Sequence, residues 1–177
     1  YGQTCPDRSY HEAGAGSCNY TPPLKDCRDC SASVGHPIHV GTGNVFEDVT
    51  DYTTKGANPL AFIRYYNSLV ISSTYAVSLG SHWRSNYDRY LNIISSTSVS
   101  VEREDGIPFN FTYNGTAWVA DTDVDMILTH TGSGTGSTWV LTDHNDTKET
   151  YTQLASGEAQ LNSIQQRNGY TQTLTYT

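Results

Sequence analysis

The chain has 177 residues, 36% apolar and 16% charged, and a formal net charge of −8. That length suits one domain able to bury a core, and an acidic balance with no cluster of Lys and Arg excludes a phosphate-binding surface and nucleic acid as a partner. No apolar run approaches the ~20 residues of a membrane-spanning helix, and few windows carry a helix-forming blend, whereas 13 Tyr with many Ser and Thr favour half-exposed strands.

The chain opens at Tyr1 and its single Met is Met126, the pattern of a mature exported protein whose signal has been removed. An extracellular or cell-surface setting is expected. Residues 1–33 are rich in Gly, Pro and polar residues without periodicity, so they should form an irregular arm that cannot order itself by burial. Cys5, Cys18, Cys27 and Cys30 all lie in it. Two disulfides would fix the arm, each contributing ~2–4 kcal/mol by restricting the unfolded chain; their pairing stays open among three arrangements. Cys27-Arg28-Asp29-Cys30 has the spacing of a zinc knuckle, but Cys5 and Cys18 supply no second one. Disulfides therefore take precedence over metal, and no βαβ pattern supports a redox centre.

From residue 34 the pattern changes to short β-type runs between turn signals, a second region covering 34–177. Leu60–Tyr66 reads as a strand after Pro59. Val99–Arg103 alternates cleanly into Asp105-Gly106, a tight turn. Ile107–Tyr113 returns, with Pro108 hinting at an edge or bulge, and Asn114-Gly115 turns into Thr116–Val119. Met126–His130, Thr138–Thr142 and Thr147–Gln153 continue the rhythm. Ala159–Gln166 and Tyr170–Thr177 then flank Asn168-Gly169 as a further hairpin. The expected fold is all-β: an antiparallel meander, a curled sheet or a sandwich.

Candidate chemistry is sparse. His36 and His39 flank Pro37-Ile38, and His82 precedes Trp83, but none has the spacing that places ligands or a base on one face. Asp121-Thr-Asp-Val-Asp125 resembles a calcium loop, yet position six is Met126 rather than Gly and no Glu stands at position twelve. Glu102, Glu104 and Asp105 sit on alternating faces near a turn, which disfavours glycoside hydrolysis. No catalytic site, metal or cofactor is expected. The terminal strand matters more: Tyr170, Thr171, Gln172, Thr173, Leu174, Thr175, Tyr176 and Thr177 would leave unpaired N–H and C=O groups along one edge.

A succession of motifs carries a resemblance. Gly35-His-Pro-Ile-His-Val-Gly-Thr-Gly-Asn44, Asp51-Tyr52 and Pro59-Leu-Ala-Phe-Ile-Arg-Tyr-Tyr-Asn-Ser68 follow in order. Leu79-Gly-Ser-His-Trp-Arg-Ser-Asn-Tyr-Asp-Arg89, Arg103-Glu-Asp-Gly106 and Arg167-Asn-Gly-Tyr-Thr-Gln-Thr-Leu-Thr-Tyr176 complete the series. Together they resemble the N-terminal domain of Rhs/YD-repeat proteins over residues 34–177, ending in one YD-like repeat. The resemblance implies a bacterial surface or secreted protein whose repeats wind a β-sheet into a shell. This chain stops where that array would begin, and its cysteine-rich arm lies outside the match. The resemblance also implies that Trp83, Arg84, Tyr87, Asp88 and Arg89 form a structural cluster in which an Arg–Asp pair braces the sheet against aromatics; an aromatic platform for a glycan is the alternative. The functional expectation is a non-catalytic subunit of a fibre or surface layer, joined to further copies of itself by β-strand addition. A cap of a larger Rhs shell and a glycan- or cell-binding adhesin are the other readings.

Overall fold

The computed structural model describes residues 10–11, 18–19, 33–34, 38–39, 43–70, 78–80 and 82–176. Among them there is no helix. Four two-residue strands, β1 (Tyr10–His11), β2 (Cys18–Asn19), β3 (Ser33–Val34) and β4 (Ile38–His39), pair as β1–β2 and β3–β4. The disulfide expectation for Cys5, Cys18, Cys27 and Cys30 falls outside the described residues, apart from the main chain of Cys18 in β2.

Strands β5 (Phe46–Thr53), β6 (Ala61–Asn67) and β7 (Trp83–Ser85) form a three-stranded antiparallel sheet. The rest of the chain builds a closed barrel. Its strands are β8 (Tyr90–Ser95), β9 (Ser98–Glu102), β10 (Pro108–Tyr113), β11 (Trp118–Ala120), β12 (Met126–Thr131), β13 (Thr138–Asp143), β14 (Lys148–Gln153) and β15 (Glu158–Gln165). Each pairs antiparallel with the next, and β15 returns to β8 through Glu158↔Asn92, Ala159↔Leu91 and Gln160↔Tyr90. The curled sheet expected from the sequence is thus a complete ring, which removes its own edges. Strand β16 (Thr171–Thr173) pairs with β15 over Ser163–Gln165 and stands outside the ring.

Period-two patterning dictates the core. Val99 and Val101, Phe111, Leu128, Trp139 and Leu141, Tyr151 and Leu161 point inward and are buried. Pro108 opens β10 at a point that β11 does not reach, since β11 pairs only with Phe111–Tyr113. That position tolerates a residue with no N–H on a strand otherwise enclosed.

Four hairpins share one turn. In Arg103–Gly106, Asp143–Asp146, Leu154–Gly157 and Gln166–Gly169 the fourth N–H donates to the first C=O, at 3.0, 3.0, 3.4 and 2.8 Å. The fourth residue has positive φ in each: 85°, 61°, 94° and 87°. This is a type I turn closed by a left-handed residue, one residue longer than the two-residue turn suggested by Asp105-Gly106 and Asn168-Gly169. The three-stranded sheet reaches the barrel through Asn67 Nδ2, which donates to Asp105 O at 3.0 Å, and Arg84 Nη1, which donates to Arg103 O at 3.0 Å.

Candidate functional site

Three places gather chemistry-bearing groups: the outer edge of β16 and the two ends of the barrel. Strand β16 follows β15 through a tight hairpin whose Gln166 N–H donates to Tyr170 O at 2.8 Å; Leu174 N–H then donates to Asn162 O at 2.8 Å. Strand hydrogen bonds alternate sides, so Tyr170, Gln172 and Leu174 turn their main chain to β15. Thr171, Thr173 and Thr175 turn theirs outward, where nothing pairs with them among the described residues. The paired strand covers Thr171–Thr173, shorter than the expected Tyr170–Thr177, and Thr177 lies outside the described residues. Beside this edge runs a groove of about 510 Å3 walled by Leu60, Tyr87 and residues 170–176. Tyr87 Oη bridges the groove wall, 3.3 Å from Ala61 O and 3.1 Å from Gln172 Oε1. Leu60 is 41% and Tyr176 49% exposed. No residue from 170 to 176 is charged or a proline, so the edge lacks charge and proline as guards against pairing.

The Trp83–Arg89 cluster is assembled differently from the Arg–Asp pair expected of it. Asp88 is held by serines: its carboxylate accepts from Ser85 N–H at 2.6 Å, Ser85 Oγ at 2.9 Å and Ser78 Oγ at 2.7 Å. The arginines take glutamates instead. Arg84, 5% exposed, lies 3.8 Å from Glu102 and over the Tyr90 ring. The Trp83 ring meets the Arg64 guanidinium at 5.1 Å and the Tyr66 ring at 5.2 Å.

Arg89 leads into the ionic end of the barrel. Glu149, 4% exposed on β14, accepts from Arg103 Nη1 at 2.6 Å, Arg103 Nη2 at 2.9 Å, Tyr151 Oη at 2.5 Å and Arg89 Nη1. Arg89 Nε stands 2.9 Å from Glu104 as an ion pair without hydrogen-bond alignment. Burial alone would raise the Glu149 carboxyl, but the Arg103 and Arg89 charges and the bonds from Arg103 and Tyr151 outweigh it and hold it at about 2. Burial, reinforced by the Glu149 charge, pushes the Tyr151 hydroxyl well above its ordinary range, so it remains a donor. Above the cluster is an open pocket of about 610 Å3 reached by Asn145 and Arg167. Two guanidiniums face two carboxylates here, and the charges are spent on one another.

The opposite end is aromatic. Tyr113 and Trp118 are opposite one another on β10 and β11, with ring centroids 5.3 Å apart; Trp118 meets Trp139 edge-on at 5.1 Å. His130 stacks on Trp139 at 3.9 Å. His130 Nε2 lies 3.0 Å from Ser137 Oγ, which donates onward to Gln153 Oε1 at 2.8 Å. With the Gln153 amide oxygen assigned toward Ser137, the Ser137 hydroxyl donates to it, and this assignment makes His130 Nε2 the donor to Ser137 Oγ. This polarity is the reverse of a Ser–His nucleophile, in which the imidazole accepts from the hydroxyl. Burial lowers the His130 pKa and keeps the ring neutral.

Of the remaining sequence candidates, Asp121–Asp125 forms a turn closed by Val124 N–H to Asp121 O at 3.0 Å. No group of three His, Cys, Asp or Glu converges on a metal position among the described residues. His36 lies outside them, His39 is described only as main chain, and His82 packs 6.1 Å from Tyr66. Sequence reading missed both barrel ends. Glu149 and Tyr151 share a strand face by alternation, a signal that a carboxylate points inward beside an aromatic, but their arginine partners are remote in the chain.

Residues 35–111 match the model of a family described as Domain of unknown function (DUF6531). No curated protein matches the chain. The matched span is less than half of the 177 residues and ends inside β10. It supplies Arg89, Arg103 and Glu104 but not Glu149 or Tyr151, so the ionic end is completed from outside it. No helix among the described residues is long and apolar enough to cross a membrane.

Proposed function

We propose that this chain is a non-catalytic extracellular structural module that joins copies of itself by β-strand addition at the outer edge of β16. The observation that carries this reading is the unguarded edge itself. Thr171, Thr173 and Thr175 present main-chain donors and acceptors beside a groove lined by Leu60, Tyr87 and Leu174. An incoming strand would satisfy those groups and lay alternate side chains into the groove. The edge of the three-stranded sheet offers a contrast, since β5 carries Glu47, Asp48 and Asp51, charges that discourage pairing. Head-to-tail addition that does not close produces a filament.

The test uses the edge itself. Thr173→Pro removes an outward N–H without removing a bond to β15. The wild-type chain should form fibres by negative-stain microscopy and sediment as a polymer, while Thr173→Pro stays monomeric with an unchanged melting temperature. A wild-type chain that remains monodisperse at high concentration, or fibres that persist in the variant, rules out this connector.

A second reading rests on the position of β16 outside the ring, where the sheet leaves the barrel. A chain continuing in hairpins like Arg167–Tyr176 would place its next strand on the same edge, and the module would cap a larger Rhs-type shell. Disulfides in the 1–33 arm belong to either reading, and sedimentation with and without reductant tests their part in it.

A further inference from the structure

The barrel ring is weakest between β11 and β12. Six residue pairs join β12 to β13, but Trp118↔Leu128 alone joins β11 to β12. The hydrogen-bond alternation fixes what the gap exposes. Asp143 N–H donates to Thr147 O, and Gln153 N–H donates to Ser137 O, so the odd-numbered residues of β13 face β14 and its even-numbered ones face β12. Thr131, Thr129 and Ile127 therefore bond to β13, and Leu128 and His130 turn their main chain toward β11. Leu128 meets Trp118. The residue opposite His130 in register is Thr116, and its N–H is already taken by Asn114 Oδ1 at 3.0 Å. The His130 N–H and C=O thus face a cleft of about 540 Å3 with no partner among the described residues.

The lining of that cleft has a definite chemistry. Tyr113 and Trp118 line one wall, Thr116 contributes a hydroxyl, the Thr129 hydroxyl donates to Val140 O at 3.4 Å, and Ile127 is 65% exposed at the rim. His130 adds its main-chain N–H and C=O. No charged side chain lines it, although the protein carries a net −8. A neutral ligand is favoured, because a charged one would find no counter-ion here. The available groups are a mixture of single donors and acceptors beside aromatic faces. Sugar hydroxyls match that mixture, each donating and accepting, while the ring's apolar C–H face stacks on an aromatic. An extended peptide would find only one residue, His130, with which to pair.

We infer that the β11–β12 cleft is a binding site for a neutral sugar ring, with Tyr113 and Trp118 as the stacking wall and His130 as the main polar contact. This site is distinct from the β16 edge, and neither depends on the other. The test titrates the full chain with glucose, galactose, mannose, N-acetylglucosamine and their β-linked disaccharides. Glucuronic acid and an uncharged peptide of alternating Thr and Val serve as controls. Binding is read by tryptophan fluorescence and by NMR shifts of the His130 and Thr129 amides. At least one neutral sugar should give a saturable response that glucuronic acid does not. Tyr113→Ala should weaken it about tenfold, the equivalent of one lost ring contact, in a chain that still melts cooperatively. Thr116→Val, also at the rim, should weaken it without touching the core, which matters because Trp118→Ala would disturb the packing on Trp139. Three results overturn the assignment: no saturable response to any neutral sugar from a cooperatively melting chain, full binding by Tyr113→Ala and Thr116→Val, or saturation by the peptide alone.

Discussion

The two ends of one barrel solve the problem of closing a small β-ring in opposite ways. At the ionic end, Arg89, Arg103, Glu104, Glu149 and Tyr151 fill the opening with charge neutralised internally. At the aromatic end, Tyr113, Trp118, Trp139 and His130 fill it with stacked rings, and the Trp139 Nε1 donor has no partner among the described residues. The first arrangement fixes register, because each guanidinium donates only along the fixed directions of its N–H groups. The second tolerates a gap, because ring contacts are broad and each is worth only ~0.5–1.5 kcal/mol beyond area burial. The opening between β11 and β12 lies at the tolerant end. Rigidity and access are thus separated along the barrel axis.

The largest effect is expected where charge is buried. Glu149→Leu strands Arg89 and Arg103 without their shared carboxylate and should cost ~3–5 kcal/mol in urea unfolding. Replacing both arginines by Met in the same background should recover most of that loss. The pH dependence follows from the same group. Its folded pKa is held below the ordinary 4.5, at about 2, so the unfolded chain binds the proton first on acidification. The stabilisation is complete above about pH 4.5 and is lost as pH falls toward 2. Glu149→Gln should flatten the stability profile over that window. If the profile keeps its slope, the acid sensitivity lies elsewhere.

Next comes the turn beneath the ionic end. Gly106 has φ of 85°, and a Cβ there would lie 2.1 Å from Cγ2 of Val70, itself 6% exposed. Gly106→Ala combines left-handed strain with overpacking and should cost ~2–3 kcal/mol. Gly115 has a similar φ of 96° with nothing within 4 Å of a Cβ. Gly115→Ala, near the aromatic end, isolates the strain and should cost only ~1 kcal/mol. Equal losses in thermal melts would mean that Val70 yields freely.

How much of this was legible in the sequence depends on distance along the chain. Strands β9, β10 and β12–β15 lie within a residue or two of their expected limits, because alternation and turn residues are local signals. Strand β5 (Phe46–Thr53) escaped notice because only Phe46 of its eight residues is buried, so no apolar face marks it. Strand β7 has three residues, too few for a period. Closure of the ring rests on β15 meeting β8, and the ionic end on pairs 46 and 60 residues apart; no window of sequence contains such information. The β16 edge was legible as a terminal strand with unpaired main-chain groups along one side, but its groove required Leu60 and Tyr87, both remote in the chain.

A smaller effect tests the aromatic end. His130 has a folded pKa lowered from 6.5 by burial, so protonation favours the unfolded chain. Stability should be full above pH 6.5 and decline as pH falls below it, a window separate from that of Glu149. Urea melts at pH 7.5 and 5.5 should differ for the wild type and converge for His130→Gln. A difference that survives the substitution would assign this window to another group.

The smallest effect should be a gain. Three of the four matched turns end in Gly106, Gly157 or Gly169, and the fourth ends in Asp146 at φ 61°. An Asp tolerates that region better than most residues but still bears a steric cost that Gly escapes. Its carboxylate lies 3.4 Å from Arg167 Nε, with the two side chains 62% and 80% exposed, a pairing that water and salt weaken. Asp146→Gly should therefore stabilise the chain by ~0.5–1 kcal/mol, seen as a higher midpoint in urea at unchanged slope. A loss instead would mean that the Asp146–Arg167 pair, at the rim of the ionic end, outweighs backbone strain, and that the charge network reaches beyond its buried members.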